Sequence, residues 1–160
     1  MKGRNFTLQS LLTSSGAHGP GTTIPDISAF DNASIAIYRL APADYHRFHS
    51  PADVIVGDIV DIPGSVFATC SLLHLFINFR YRQYYTVNPQ AVNEPGFDVF
   101  TANRRAILYL THEHTGKPIA FVAIGALLVG SIVWTVKKGD KVKKGQELGD
   151  WKNSISCMVI

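Results

Sequence analysis

Residues 105–124 read RAILYLTHEHTGKPIAFVAI. Two apolar runs, Ala106–Leu110 and Ile119–Ile124, flank a short polar connection that contains glycine and proline. Apolar runs of this length, bounded by turn residues, are typical of β-strands. The stretch therefore predicts a β-hairpin, with His112–Gly116 as its tight connection.

The same pattern continues on both sides of this hairpin. Further strands are predicted at Asn32–Leu40, Val54–Ile62, Tyr84–Val87 and Val129–Val136. Helix signals are few. Short strands separated by glycine and proline predict a mainly β protein with a barrel-sandwich-like body and few short helices.

Two local details accompany these strands. Alternation within Val54–Ile62 predicts that Val54, Val56, Asp58 and Val60 share one face of the strand. Gly139-Asp140 predicts a turn of the two-residue hairpin kind.

One uncharged segment, residues 119–136, is long enough to be considered as a membrane helix. It is rich in β-branched residues, and Gly125 and Gly130 interrupt it in a strand-like context. These features favour consecutive buried strands over a membrane helix. The N-terminal segment, Met1–Ser15, lacks the long apolar run of a signal peptide.

Composition sets broad limits on function. The 160 residues are 46% hydrophobic and 17% charged, which indicates one globular domain. The net charge of +3 is small, and no cluster of basic residues is interleaved with aromatics, so nucleic acid is not an expected partner. Cys70 and Cys157 form no paired motif, and free thiols are expected.

The densest chemistry lies in residues 40–51, LAPADYHRFHSP. His46 and His49 stand three positions apart, beside Tyr45 and Arg47. A metal site would need a third ligand, such as His112 or His114, and no familiar zinc spacing links these residues. A pair of general bases and a structural polar turn both remain open from the spacing alone.

This segment resembles the signature L-A-P-x-D-Y-H-R-x-H of the phosphatidylserine decarboxylase family. Further family-like elements follow in the same order: Asn88-Pro89, Phe100–Arg105, Val122–Ile132 and Lys137–Gly149. A weaker likeness, to a short opening helix, begins at Phe6. The resemblance predicts a decarboxylase-like domain over residues 30–149, preceded by a loop-rich segment at 1–29. The family fold is α+β, and this chain would hold an incomplete version of it.

The resemblance implies a lyase that converts phosphatidylserine to phosphatidylethanolamine and CO₂ through a Schiff base to a pyruvoyl group. The proenzyme makes that group by cutting itself at a Gly-Ser bond. By the same resemblance, His49 is the base of the self-cleavage relay and His46 carries a proton during decarboxylation. Implied partners are phosphatidylserine at a membrane surface and the pyruvoyl-bearing chain. The implied location is peripheral membrane, on endomembranes or mitochondria.

The chain also departs from the family pattern. No Gly-Ser pair follows Gly149, and no relay aspartate stands in an S-P-x-D-G-like string before the histidines. Residues 65–83 form an apolar insertion, and residues 150–160 match no family element, so both are interpreted as retained introns. The expectation is a non-catalytic chain from which the pyruvoyl group cannot form, because its serine is missing.

Two other classes of function stay open. One is a soluble pyruvoyl-dependent decarboxylase of an amino acid, because the signature does not distinguish lipid from amino-acid substrates. The other is a non-catalytic fragment or binding module. Residues 136–146 are similar to the hairpin of biotinyl and lipoyl domains, although the modified lysine and its neighbours are absent.

Overall fold

The computed structural model describes residues 7–13, 26–40, 44–63, 98–125, 132–151 and 156–159, the last range by its backbone alone. Its helices are α1 (Leu8–Leu12), a 3₁₀ turn (Ile27–Phe30) and α2 (Val99–Ala102). Each begins after a residue whose side-chain oxygen accepts a backbone N–H bond from the first turn, which stabilises so short a helix. These caps are Thr7, Asp26 and Asp98.

Nine strands account for about half of the described residues. They are β1 (Ile37–Leu40), β2 (Arg47–His49), β3 (Val54–Ile62), β4 (Arg105–His112), β5 (Pro118–Gly125), β6 (Ile132–Trp134), β7 (Lys141–Val142), β8 (Glu147–Trp151) and β9 (Ser156–Val159). A large sheet has the order β1-β9-β5-β4-β3-β7, and a small sheet has the order β2-β8-β6. All pairs are antiparallel. The prediction of a mainly β protein is confirmed.

The predicted hairpin is the centre of the large sheet. β4 and β5 pair continuously from Arg105 opposite Ile124 to Thr111 opposite Pro118. The His112 N–H donates to the Lys117 carbonyl across the turn, at 2.9 Å. Gly116 in that turn has φ +67°, a left-handed conformation that glycine adopts without strain.

The two faces of the β4–β5 hairpin pack into two separate cores. One set of alternating side chains, from Leu108 and Phe121 among others, packs against the small sheet. The other set, including Ile107 and Val122, packs against α1, the 3₁₀ turn and α2. Both strands are therefore buried on both faces, which explains why they are nearly continuous apolar runs in the sequence.

The predicted alternation within β3 is wrong in its second half. The pairing of β3 with β4 shifts by one residue between Val56 and Ile59, which is a β-bulge. Before the bulge, Val54 and Val56 face the core shared with the small sheet. After it, Val60 and Ile62 face the other core. The extra residue reverses the faces, so Val56 and Val60 do not share one side.

Two other predictions need correction. β1 begins at Ile37 and not at Asn32. Gly139 does lie in a turn, but the strands that flank it do not form a hairpin, because β6 pairs with β8 whereas β7 pairs with β3. The turn instead carries the chain from the small sheet to the large one.

Several predictions are not tested by the described structure. The predicted strand Tyr84–Val87 and the predicted insertion at 65–83 fall outside the described residues. The division of the chain into three segments stays a prediction, and its boundary after Gly149 falls inside β8.

Candidate functional site at the histidine strand

The strand β2 is anchored by one buried aromatic residue. Phe48 is 2% exposed, and its ring contacts those of Trp151 and Trp134 at centroid distances of 4.5 and 5.1 Å. Phe48 lies opposite Gly149 on β8, which has no side chain to obstruct the ring. Because successive side chains point to opposite faces of a strand, anchoring Phe48 turns Arg47 and His49 away from the core.

The His49 ring is held at both nitrogens. Its Nδ1 lies 2.9 Å from the Gly145 carbonyl oxygen, and its Nε2 lies 3.0 Å from the Tyr45 hydroxyl. A carbonyl only accepts hydrogen bonds, so Nδ1 carries the proton and donates it. In the neutral ring, Nε2 then has the lone pair and accepts from the Tyr45 hydroxyl. The basic atom of His49 is therefore Nε2.

A tight turn directs the Gly145 carbonyl at His49. Gly145 has φ +82°, and its N–H donates to the Ser50 carbonyl at 2.8 Å. The Ser50 N–H donates in return to the Gln146 carbonyl, also at 2.8 Å. This reciprocal pair fixes the turn against the end of β2, so the acceptor of the Nδ1 proton belongs to rigid backbone.

His46 lies just before β2 and is half-buried. Its carbonyl accepts a hydrogen bond from the Trp151 N–H at 3.1 Å, which joins this part of the chain to β8. The structure thus places both predicted site residues, His46 and His49, against the same neighbouring strand. Their catalytic roles stay predictions.

Arg47 and Glu147 connect β2 to β8 at the surface. Their charged groups are 2.9 Å apart, and the arginine side chain is 57% exposed. Exposed pairs of this kind contribute at most about 1 kcal/mol to stability. The pair therefore orders the arginine beside the histidines more than it stabilises the fold.

His112 and His114 belong to the β4–β5 turn. The His112 Nδ1 accepts from the N–H groups of His114 and Thr115, at 3.3 and 3.2 Å, which gives this imidazole a local structural role. His114 also lies close enough to Asp53 and Glu113 for the three to share a cation.

That acidic group is already neutralised by lysines. Lys143 contacts Asp53 at 3.1 Å and Glu113 at 3.2 Å, and Lys141 contacts Glu113 at 3.2 Å. A backbone hydrogen bond from Lys144 and the Lys143 ammonium lower the pKa of Asp53, and the two ammonium groups lower that of Glu113. The cluster is an ion-pair network that joins three loops, and both of its carboxylates are paired with lysines.

An apolar cavity of about 480 Å³ lies on the face of the large sheet that α1 covers. Leu11 and Phe30 form one wall and Val122 of β5 another, with Lys117 also among the lining residues. The sequence does not predict this cavity, because its walls come from segments far apart in the chain. Among the described helices, none is long and apolar enough to cross a membrane.

These features define a class: a mainly β protein with a histidine-bearing strand held against a glycine turn. The family model for phosphatidylserine decarboxylase matches residues 1–159. The chain belongs to the phosphatidylserine decarboxylase family.

Curated relatives agree with this assignment. The chain is 38% identical over 160 residues to phosphatidylserine decarboxylase proenzyme 2 of Komagataella phaffii, covering all of this chain and 13% of that protein. It is also 38% identical to proenzyme 2 of Saccharomyces cerevisiae, covering 12% of it. With the proenzyme of Fusobacterium nucleatum the identity is 34% over 149 residues, or 93% of this chain and 40% of that one. The chain thus spans less than half the length of each of these relatives.

Proposed function

We propose that this chain is the histidine-bearing part of a pyruvoyl-dependent enzyme that converts phosphatidylserine to phosphatidylethanolamine and CO₂. The supporting observation is that the family match extends over residues 1–159 and includes the strand that carries both histidines. The pyruvoyl group, when present, supplies a carbonyl that takes the substrate amine and accepts the electrons left when CO₂ departs.

Within this proposal, His49 is the base of self-cleavage in the complete proenzyme, of which this chain would be one part. Its Nε2 lone pair takes the proton from a serine hydroxyl, while the Gly145 carbonyl holds the Nδ1 proton in place. A backbone carbonyl thus orients this base in the described part of the chain, the task that a carboxylate has in the Ser-His-Asp arrangement. His46 is the proposed proton carrier of the decarboxylation step.

The chain itself is proposed to make no pyruvoyl group. No Gly-Ser pair follows Gly149, and the two Gly-Ser pairs present, at residues 64–65 and 130–131, lie outside the described residues. Activity would then require a partner chain that bears the pyruvoyl group. The purified chain should give one intact mass, unchanged by hydroxylamine, which traps a pyruvoyl carbonyl. Two cleavage products, with a carbonyl on one of them, would contradict this part of the proposal.

Decarboxylation itself is tested by mixing the chain with the pyruvoyl-bearing chain of a family relative and vesicles that contain labelled phosphatidylserine. Release of labelled CO₂ that depends on this chain, and that falls at least about 100-fold in His46→Gln, would support the proposal. Arg47→Gln serves as the matched control, because it changes one of the two residues between the histidines without changing either imidazole.

The same assay distinguishes the remaining alternatives. Release of CO₂ from free serine or tryptophan, and none from vesicles, would indicate a soluble amino-acid decarboxylase. No release from any substrate would favour a non-catalytic fragment or binding module. Co-sedimentation of the chain with anionic vesicles tests the proposed peripheral membrane location, on endomembranes or mitochondria.

A further inference from the structure

Tyr45 combines high exposure with two specific contacts to one imidazole. The residue is 62% exposed, yet its ring stacks on that of His49 with centroids 5.7 Å apart and planes inclined by 13°. Its hydroxyl also lies 3.0 Å from the His49 Nε2. An exposed tyrosine gains little from burial, so these contacts determine where its ring lies.

We propose that Tyr45 is a positioning residue that occupies the lone pair of His49 until another hydroxyl replaces it. The inference rests on the proposed role of His49 as a base. The Gly145 carbonyl fixes the tautomer from one side of the ring, and the Tyr45 hydroxyl bonds the basic nitrogen from the other. With both nitrogens bonded, the imidazole has one orientation and no open basic site.

The Tyr45 hydroxyl marks the place that a reacting hydroxyl must take. A serine that gives its proton to Nε2 has to approach along the same lone pair, within hydrogen-bond distance. Because Tyr45 is mostly exposed, its side chain can turn into solvent without leaving a buried cavity. Its hydroxyl then bonds to water, so the exchange of one donor for another costs little.

Of the β2 side chains next to His49, neither bonds to its Nε2, so Tyr45 is the residue to substitute. Arg47, two positions before His49 on β2, is directed to Glu147 at 2.9 Å. Phe48 points into the core. The Gly145 contact is made by the backbone and survives any side-chain substitution at Tyr45. Removing only the Tyr45 hydroxyl should therefore open Nε2 and leave the Nδ1 tautomer unchanged.

Diethylpyrocarbonate labelling of the full chain measures the openness of Nε2. In this reaction an unprotonated imidazole nitrogen attacks a carbonyl carbon of the reagent and displaces ethyl carbonate. Trypsin cuts after Arg47 and so places His46 and His49 in different peptides. Fragment spectra then assign the label at His49.

The Tyr45→Phe variant keeps the stacked ring and removes the donor, so His49 should be labelled about five-fold faster, as expected for loss of one hydrogen bond. Tyr38→Phe, a change at another exposed tyrosine, should leave the rate unchanged. Equal rates at His49 in the folded parent and in Tyr45→Phe would overturn the proposal.

A nitrogen-15 NMR spectrum of the histidine rings provides a second measurement that does not require activity. His49 should have its proton on Nδ1 in both the parent and Tyr45→Phe, whereas its Nε2 resonance should shift when the hydroxyl is lost. A proton on Nε2 in the parent would refute the arrangement. The proposed role of His49 as a base is tested separately in a relative that contains the Gly-Ser bond. If replacing the matching histidine of that relative by glutamine leaves its self-cleavage intact, the base role is refuted.

Discussion

Replacement of Gly149 by alanine tests how the histidine strand is anchored. A Cβ atom built at Gly149 would lie 2.6 and 2.8 Å from the Cζ and Cε2 atoms of Phe48, and closer still to the Val133 carbonyl oxygen. Ordinary carbon contacts are about 3.5–4.0 Å, so the ring must move by about 1 Å. The Val133 carbonyl belongs to β6, which pairs with β8 at this point, so it cannot retreat freely.

The cost follows from these contacts. Overpacking of a tight core costs about 1–3 kcal/mol, and loss of one β6–β8 hydrogen bond adds about 1 kcal/mol, so Gly149→Ala should lower the free energy of unfolding by about 2–4 kcal/mol. Urea unfolding followed by tryptophan fluorescence is a suitable assay, because Trp134 and Trp151 both contact Phe48. A loss below about 1 kcal/mol would refute the reasoning.

Two further variants separate the contact from the backbone effect. Gly116→Ala introduces the same methyl group at φ +67° with no atom within 4 Å, so it should cost only about 1–2 kcal/mol of backbone strain. Phe48→Leu in the Gly149→Ala background should recover part of the loss, as a favourable coupling between the two sites. If the effects of the two substitutions on stability simply add, the added methyl group does not clash with Phe48.

Three other predictions concern groups away from β2. Arg105 is 2% exposed, and its guanidinium donates to carbonyls in and just after α1 at 2.8–3.3 Å. Arg105→Met should therefore lower the free energy of unfolding in urea by about 3–5 kcal/mol. An effect near zero would show that these hydrogen bonds contribute little. The pKa values of Asp53 and Glu113 are lowered in the folded chain from the usual 3.8 and 4.5, so the unfolded chain binds protons first as the pH falls. Stability should therefore decrease from about pH 5 downwards, and Asp53→Asn with Glu113→Gln should flatten that slope in pH-dependent unfolding. The Tyr109 hydroxyl is buried with no hydrogen-bond partner among the described residues, and burial raises its pKa. Tyr109→Phe should therefore leave stability unchanged or raise it by up to about 1 kcal/mol. A clear loss of stability in thermal unfolding would reveal a partner of the hydroxyl.

The β4–β5 hairpin shows what the sequence could predict. Its strands are continuous apolar runs joined by a short turn, and this information is local. The bulge in β3 could not be predicted, because it depends on the partner strand: one residue of β3 has no counterpart in β4 between Val56 and Ile59. Gly57 permits the close approach there, since a Cβ at this position would meet the Tyr109 carbonyl at 2.8 Å.

The candidate site likewise has a part that the sequence predicts and a part that it does not. One short motif predicts His46 and His49 as site residues, because residues of a motif are adjacent in the chain. The Gly145 carbonyl that selects the tautomer of His49 is 96 positions away, and any glycine turn would look alike in the sequence. The contact between the Tyr45 hydroxyl and His49 could not be predicted from the motif, since it depends on where β2 places the imidazole.

The arginine contacts of α1 imply an order of folding. A helix of five residues is far shorter than the roughly 12–15 residues that an isolated helix needs to be even marginally stable in water. Arg105 reaches the carbonyls of Ser10 and Leu11 from the first residue of β4, so those acceptors are met only after β4 is in place. We expect α1 to form late in folding, and to be the first element to exchange its amide protons when the native chain opens locally.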